Sequence, residues 1–389
     1  MIRIAIVHDW LIVYGGAERV LENLLDIYPQ ADVYSLIDKV PSSQRFFLKG
    51  KSVYTSILQK LPGISRYYRY LLPILPLVIE QFDLASYDLV ISSSYCVAKG
   101  VLSSPKQVHI CYCHSPVRYA WDQYHYYIKH FERAPLVSAS MKLFFHYIRI
   151  WDVISSNSVD HFIATSAFVA ARIAKFYRRR STIIPPPVDL SLFSCVCEKK
   201  DHYVAVARFV PFKRLDIAVR AFAGMPDKEL ILLGDGPDMK FLKSLATPNI
   251  RFIGFQPPNI VYNYISTAKA LIFPSEEDFG IVPLEAQASG TPVIAFGRGG
   301  AEDTVIPLSP SAILPTGVFF DEQTPASLVG AVHRFEDNIH LFDAHSISQH
   351  AHSFSPESFR RQLTELIDSI EPLLAKSNSR SASVIGSIS

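Results

Sequence analysis

Short apolar runs recur along the whole chain, each closed by a glycine, proline or polar turn and followed by residues at helical spacing. That alternation restricts the fold more than any other feature. The runs read as strands near residues 2–7, 31–36, 88–93, 107–112, 161–165 and 182–184, then near 203–207, 229–233, 250–253, 270–273, 292–296 and 318–320. Strands that alternate with helices in this way predict parallel sheets covered by helices on both faces, an α/β architecture. A chain of 389 residues is expected to form two domains, since compact domains run roughly 100–200 residues. The boundary is predicted in the segment Ile183 to Asp189, where Pro185, Pro186 and Pro187 stiffen an extended linker. The expected domains are therefore 1–185 and 186–355. Ser355-Pro356 starts a last helix, expected to end near residue 375, and the serine-rich end 376–389 reads as a disordered tail.

Composition excludes several partners. The net charge is only +2, so no global field draws nucleic acid to the surface. No stretch approaches ~20 unbroken apolar residues, which argues against a spanning helix. Five cysteines without a signal peptide read as reduced, cytosolic thiols. Aromatic residues reach 12% and concentrate in two runs, Ile64 to Val78 and Met141 to Trp151. Both mix apolar bulk, Tyr or Trp, and Arg or Lys, which suits a membrane interface or, equally, a core or inter-domain surface. Pro73 and Pro76 rule out one long straight helix in the first run.

The most informative stretch for chemistry is Phe273 to Ala286. An apolar strand ends at Pro274, and after Gly280 the residues Ile281, Leu284 and Ala288 have helical spacing. A helix N-terminus with a glycine beside it offers free backbone N–H groups, a positive dipole end and close access, here around Phe279, Gly280 and Ile281. Glu277 falls on the loop and Glu285 on the helix, eight residues or roughly two turns apart, so both can address one crevice. Upstream, the strand Tyr203 to Ala207 is followed by Arg208 and Lys213, either a diphosphate clamp or an exposed basic turn. The strand Leu230 to Leu233 runs into Gly234-Asp235-Gly236, a turn common in α/β proteins.

In this order, Arg208…Lys213, Gly234-Asp235-Gly236 and Glu277-x7-Glu285 resemble the nucleotide-sugar half of family-four glycosyltransferases. These are retaining enzymes of the GT-B fold, in which two Rossmann-like domains face a central cleft. The resemblance is strong over residues about 200 to 305 and implies a donor site made of Arg208, Lys213, Gly234, Phe279, Gly280, Ile281 and Glu285. It implies that Arg208 and Lys213 neutralise the departing diphosphate, that Glu277 holds the sugar hydroxyls and that Glu285 accepts from the ribose. It also implies that the last helix, 356–375, returns to the first domain. Relatives often carry Pro-Glu where this chain has Glu302-Asp303.

The first half adds a strand from Ile2, then His8-Asp9-Trp10, then Gly15-Gly16 opening a helix, as in a Rossmann domain without the full dinucleotide pattern. The run Val108 to Asp122 ends a strand at His114, where α/β folds place ligands. The resemblance identifies His114 with the family's cleft histidine, catalytic alongside Glu277, Arg208 and Lys213. Gly15 and Gly16 would lie near the donor phosphates, and Arg118, Trp121 and Asp122 are candidate acceptor contacts. No metal is expected. Neither Cys111/Cys113 nor Cys195/Cys197 has C-x2-C spacing, and alternation turns His114 away from the first pair. The implied activity is hexose transfer from a UDP- or GDP-sugar, with no other cofactor, to a saccharide or polyprenol-diphosphate-linked acceptor. The bacterial surface and exopolysaccharide enzymes are the nearest in motif, which points to a cytoplasmic protein with possible peripheral contact at the inner membrane face. A nucleotide-sugar epimerase or phosphorylase on the same fold, or a non-catalytic nucleotide-sugar-binding protein, remain as alternatives.

Overall fold

The computed structural model describes residues 2–130, 135–310 and 312–385. The chain divides into two compact units, Met1–Pro187 with Pro356–Ser389, and Val188–Ser355.

The first unit holds β1 (Ile4–His8), β2 (Asp32–Ser35), β3 (Val53–Thr55), β4 (Leu89–Ser94), β5 (Val108–Cys113), β6 (His161–Ala164) and β7 (Ser181–Ile183). They form one sheet in the order β3-β2-β1-β4-β5-β6-β7, parallel throughout. Alternate residues of β1 serve opposite faces. Ile4 and Ile6 pack with Val20, Leu21, Leu24 and Leu25 of the helix Gly16–Ile27 and with Phe359, Leu363 and Ile367 of the helix Pro356–Ile385. Ala5 and Val7 pack on the other side with Tyr34, Leu75 and Trp151. A strand apolar on both sides is buried on both sides, and the sheet is covered accordingly.

Two features of this unit differ from expectation. The sheet gains β3 as a seventh strand; it is a three-residue edge strand, too short to show periodicity. The last helix runs to Ile385, so residues 376–385 are helical where a disordered tail was expected. That segment is rich in serine but carries neither Gly nor Pro before Gly386, so nothing in it stops a helix already started upstream. Residues 386–389 lie outside the described residues.

The second unit holds β8 (His202–Val206), β9 (Glu229–Leu233), β10 (Ile250–Gly254), β11 (Ala270–Phe273), β12 (Val293–Phe296) and β13 (Gly317–Phe320). Their order is β10-β9-β8-β11-β12-β13, again all parallel. In each unit the first strand has its successors on one side and a later strand on the other. The order therefore reverses between β1 and β4 in one sheet and between β8 and β11 in the other. Open parallel sheets bind ligands outside the carboxyl ends of the strands at such a reversal.

Both aromatic runs are broken into packed and exposed halves. Ile64, Tyr68, Leu75 and Val78 are buried, while Tyr70, Ile74 and Leu77 are exposed. On the helix Pro135–Ser155, Phe145, Ile148 and Trp151 face the core and Leu143, Tyr147, Ile150 and Ile154 face outward. Among the described residues no helix is long and apolar enough to cross a membrane.

Candidate functional site

In the second unit, the ends of β8, β9 and β11 bring the sequence motifs together. The residue after β8, Ala207, donates its N–H to Leu233, and Phe209 N donates to the Asp235 carbonyl at 2.9 Å. The two strand-end loops thus run side by side. Gly234 makes this approach possible, with φ at +133° and a Cβ that would stand 1.8 Å from the Ala207 carbonyl oxygen. A pocket of about 560 Å³ opens there, bounded by Arg208, Lys213, Gly234, Asp235, Phe255 and Gln256, with Val206, Val261 and Val282 as apolar wall. Its size and its mix of apolar wall with a few polar groups suit a small ligand.

Lys213 lies across the strand-order reversal from Glu277. Its Nζ donates to Glu277 Oε1 at 2.5 Å, and Ser275 Oγ donates to the same oxygen at 2.8 Å. The next residue, Arg214, takes a left-handed φ of +51° and is held by Asp216 and Gln323, so the turn carrying Lys213 is fixed by its surroundings. The Glu277 backbone is fixed in turn by Gly300, whose N–H donates to the Glu277 carbonyl at 2.8 Å. Gly280 caps the helix Ile281–Ala288 with φ at +89°, and Glu285 lies half-buried within that helix. The Phe279 ring is committed to a core with Val188, Leu284 and Phe354, so only its backbone is available to a ligand.

In the first unit, a polar cluster occupies the corresponding reversal. Ser93 Oγ, at the end of β4, is 3.1 Å from His8 Nδ1 and 2.9 Å from His114 Nε2. A hydroxyl between two imidazoles donates to one and accepts from the other, which fixes both rings. Burial, with His8 alongside, lowers the pKa of His114 to about 3, so the ring is neutral at physiological pH. His8 Nε2 is 3.5 Å from Glu18, which also accepts the Gly15 N–H at the start of the helix Gly16–Ile27. Asp9 is fully buried and accepts four backbone N–H groups, those of Tyr95, Cys96, Val97 and Ala98. It shapes the loop after β4, next to Ser93.

The sequence residues therefore separate into groups. Arg208, Lys213 and Gly234 line one pocket, and Glu277 joins them through Lys213. His114, Gly15 and Gly16 belong to the first unit's strand ends and helix start. Trp121 is tied into the fold, stacked on Phe176 at 4.4 Å with its indole N–H donating to Asp152. Asp122 pairs with Arg172, and Arg118 is half-buried. Phe255 and Gln256 were not singled out in the sequence, although they follow the Gly254 that ends β10. Phe255 is 81% exposed, an aromatic face left open at the pocket. Ser93 was likewise missed, since one serine in the run Ser92-Ser93-Ser94 carries no signal of its own.

Residues 14–192 match the Glycosyltransferase Family 4 profile, and residues 196–351 match the profile for Glycosyl transferases group 1. The D-inositol 3-phosphate glycosyltransferase of Corynebacterium urealyticum is 34% identical over 227 residues, covering 50% of this chain and 52% of the relative. The GDP-mannose-dependent monoacylated alpha-(1-6)-phosphatidylinositol monomannoside mannosyltransferase of Corynebacterium glutamicum is 36% identical over 116 residues, 26% of this chain and 30% of the relative. The chain thus matches about half, or less, of the length of these relatives. The structure of Anabaena HepE in complex with UDP and glucose superposes with a TM-score of 0.64 at 17% identity, covering 95% of this chain and all of that one. At that identity the likeness speaks for the fold.

Proposed function

The chain belongs to the family-four glycosyltransferases of the GT-B fold, and on that premise we propose that it is a retaining transferase. It moves a hexose from a nucleotide diphosphate sugar to a hydroxyl of a saccharide acceptor in polysaccharide assembly. The observation that carries this reading is the pocket at the strand-order reversal of the second unit, with Arg208, Lys213 and Gly234 in its wall and Glu277 paired to Lys213.

The chemistry follows from those groups. The bond between the anomeric carbon and the diphosphate oxygen breaks, and negative charge develops on the departing phosphate. Arg208 and Lys213 are cations placed in advance to receive that charge, so they are assigned the work a divalent ion would otherwise do. The acceptor oxygen forms the new bond on the same face, and its proton passes to the departing phosphate, so no side chain need act as base. Glu277 and the backbone N–H groups of Gly280 and Ile281 hold the sugar hydroxyls, and Glu285 accepts from the ribose. The open ring of Phe255 and the Gln256 amide are assigned to the base, a stacking surface and a polar edge. His114, neutral and oriented by Ser93, is assigned a hydrogen-bonding role toward substrate, and Gly15, Gly16, Arg118 and Asp122 are assigned to phosphate and acceptor groups.

The donor nucleotide is UDP or GDP. One relative is named for GDP-mannose, and one structural neighbour was solved with UDP and glucose. The acceptor is assigned to a lipid-linked saccharide at the cytoplasmic membrane face, on the exposed Tyr70, Ile74 and Leu77 with Arg66 and Arg69 beside them. Incubation with a panel of UDP- and GDP-hexoses tests the activity. Release of nucleoside diphosphate supports transfer or its hydrolytic side reaction. An interconverted sugar would make the protein an epimerase, and binding without turnover would make it a non-catalytic module.

A further inference from the structure

Two neighbouring cysteines and a histidine 148 residues further on meet in the second unit, away from the pocket. Cys195 and Cys197 lie on the segment that leads into β8, and His345 lies in the first turn of the helix Ala344–His352. Their sulfur and nitrogen atoms all fall within 4.8 Å of one another. We propose that Cys195, Cys197 and His345 bind a thiophilic divalent cation, zinc by preference, which ties the entry segment of this unit to that helix.

The geometry fits. Zinc held tetrahedrally at about 2.3 Å from sulfur and about 2.0 Å from nitrogen sets those two atoms about 3.5 Å apart. Cys197 Sγ and His345 Nε2 stand 3.4 Å apart. The entry segment is held in register by Val196, whose N–H donates to the Ser289 carbonyl at 3.1 Å. Gly290 then makes room for the first sulfur: a Cβ there would stand 3.0 Å from Cys195 Sγ. Lys199 is fixed nearby by the Ser266 and Ser289 carbonyls and the Thr291 hydroxyl.

Ligand type selects the ion. Two thiolates and an imidazole favour zinc over magnesium, calcium or manganese, which prefer oxygen. Cys197 and His345 are exposed, so the fourth position is open to water. The other three cysteines, Cys96, Cys111 and Cys113, are buried in the first unit and belong to no such set. The cation would join chain positions about 150 residues apart, beside the end of the helix that carries Glu285, and its binding energy would add to the stability of the unit.

The test uses the full chain, stripped with chelator under reductant, then titrated with Zn²⁺ against a competing chromophoric chelator and with Co²⁺ as optical probe. Wild type should bind one zinc ion per chain, show thiolate-to-cobalt charge-transfer absorption and melt several degrees higher with zinc. His345→Ala should weaken zinc binding by about a hundredfold or more, and Cys195→Ser/Cys197→Ser should abolish both the stoichiometric binding and the cobalt band. Folding of the variants is checked by their melting without metal. Failure of the wild type to bind stoichiometric zinc, or binding by the double variant as tight as wild type, overturns the proposal. Neither readout depends on transferase activity.

Discussion

Lys213→Ala separates catalysis from stability in the candidate site. The Lys213–Glu277 pair is partly solvated, with side chains 19% and 23% exposed. Pairs near the surface contribute about 1 kcal/mol or less to folding. Glu277 also keeps Ser275 Oγ as a donor, which limits the loss further. The cost to folding should therefore stay near that figure, visible as a small shift in the urea midpoint. The cost to catalysis should be larger. Removing one preorganised group that meets transition-state charge typically lowers kcat by about 10²–10³-fold, or about 3–4 kcal/mol. The assay is steady-state release of nucleoside diphosphate, with kcat and KM separated, beside an unfolding curve on the same preparation. A variant that loses stability heavily but retains near-normal kcat would make Lys213 a structural residue and refute the reasoning.

Gly234→Ala should collapse the pocket, because its Cβ would meet the Ala207 carbonyl oxygen at 1.8 Å; a loss of about 1–3 kcal/mol in stability with weakened nucleotide binding is expected, and unchanged binding would contradict it. Acid should destabilise the first unit through buried neutral histidines. The folded-state pKa is lowered to about 4 for His109 and about 3 for His114, so below about pH 6.5 the unfolded chain binds protons that the folded one refuses. Stability should be full above pH 6.5 and fall toward pH 4, by up to about 1.4 kcal/mol per pH unit for each ring, and His109→Gln should flatten the slope. Vesicle flotation with anionic liposomes should carry part of the protein at low salt and release it at high salt; a protein that never floats has Tyr70, Ile74 and Leu77 serving some other contact.

Much of this architecture was legible because it is local. Strands such as Ile4–His8 and Ala270–Phe273 announce themselves by unbroken apolar runs, and Gly234 and Gly280 mark the turns where backbone must approach backbone. The short edge strand β3 was not legible, since three half-exposed residues carry no period. Partnerships across the sheet were hidden for a different reason. Ser93 meets His8 and His114 only because β1, β4 and β5 lie side by side, and His345 meets Cys197 across 148 residues of chain. Trp121 illustrates the converse. An aromatic beside a candidate site looks like a ligand contact in sequence, yet its N–H is spent on Asp152, which also receives Lys99 and Tyr177 in a buried polar knot.

The most direct test titrates UDP and GDP calorimetrically into the wild type and into the Arg208→Ala/Lys213→Ala double variant. The account predicts that the wild type binds one of the two nucleotides. It predicts that the double variant, folded by its unfolding curve, loses at least about a hundredfold in affinity, as expected when two charge-assisted contacts to a diphosphate are removed. Equal affinity in both proteins would move the diphosphate away from the strand-order reversal of the second unit and contradict the account.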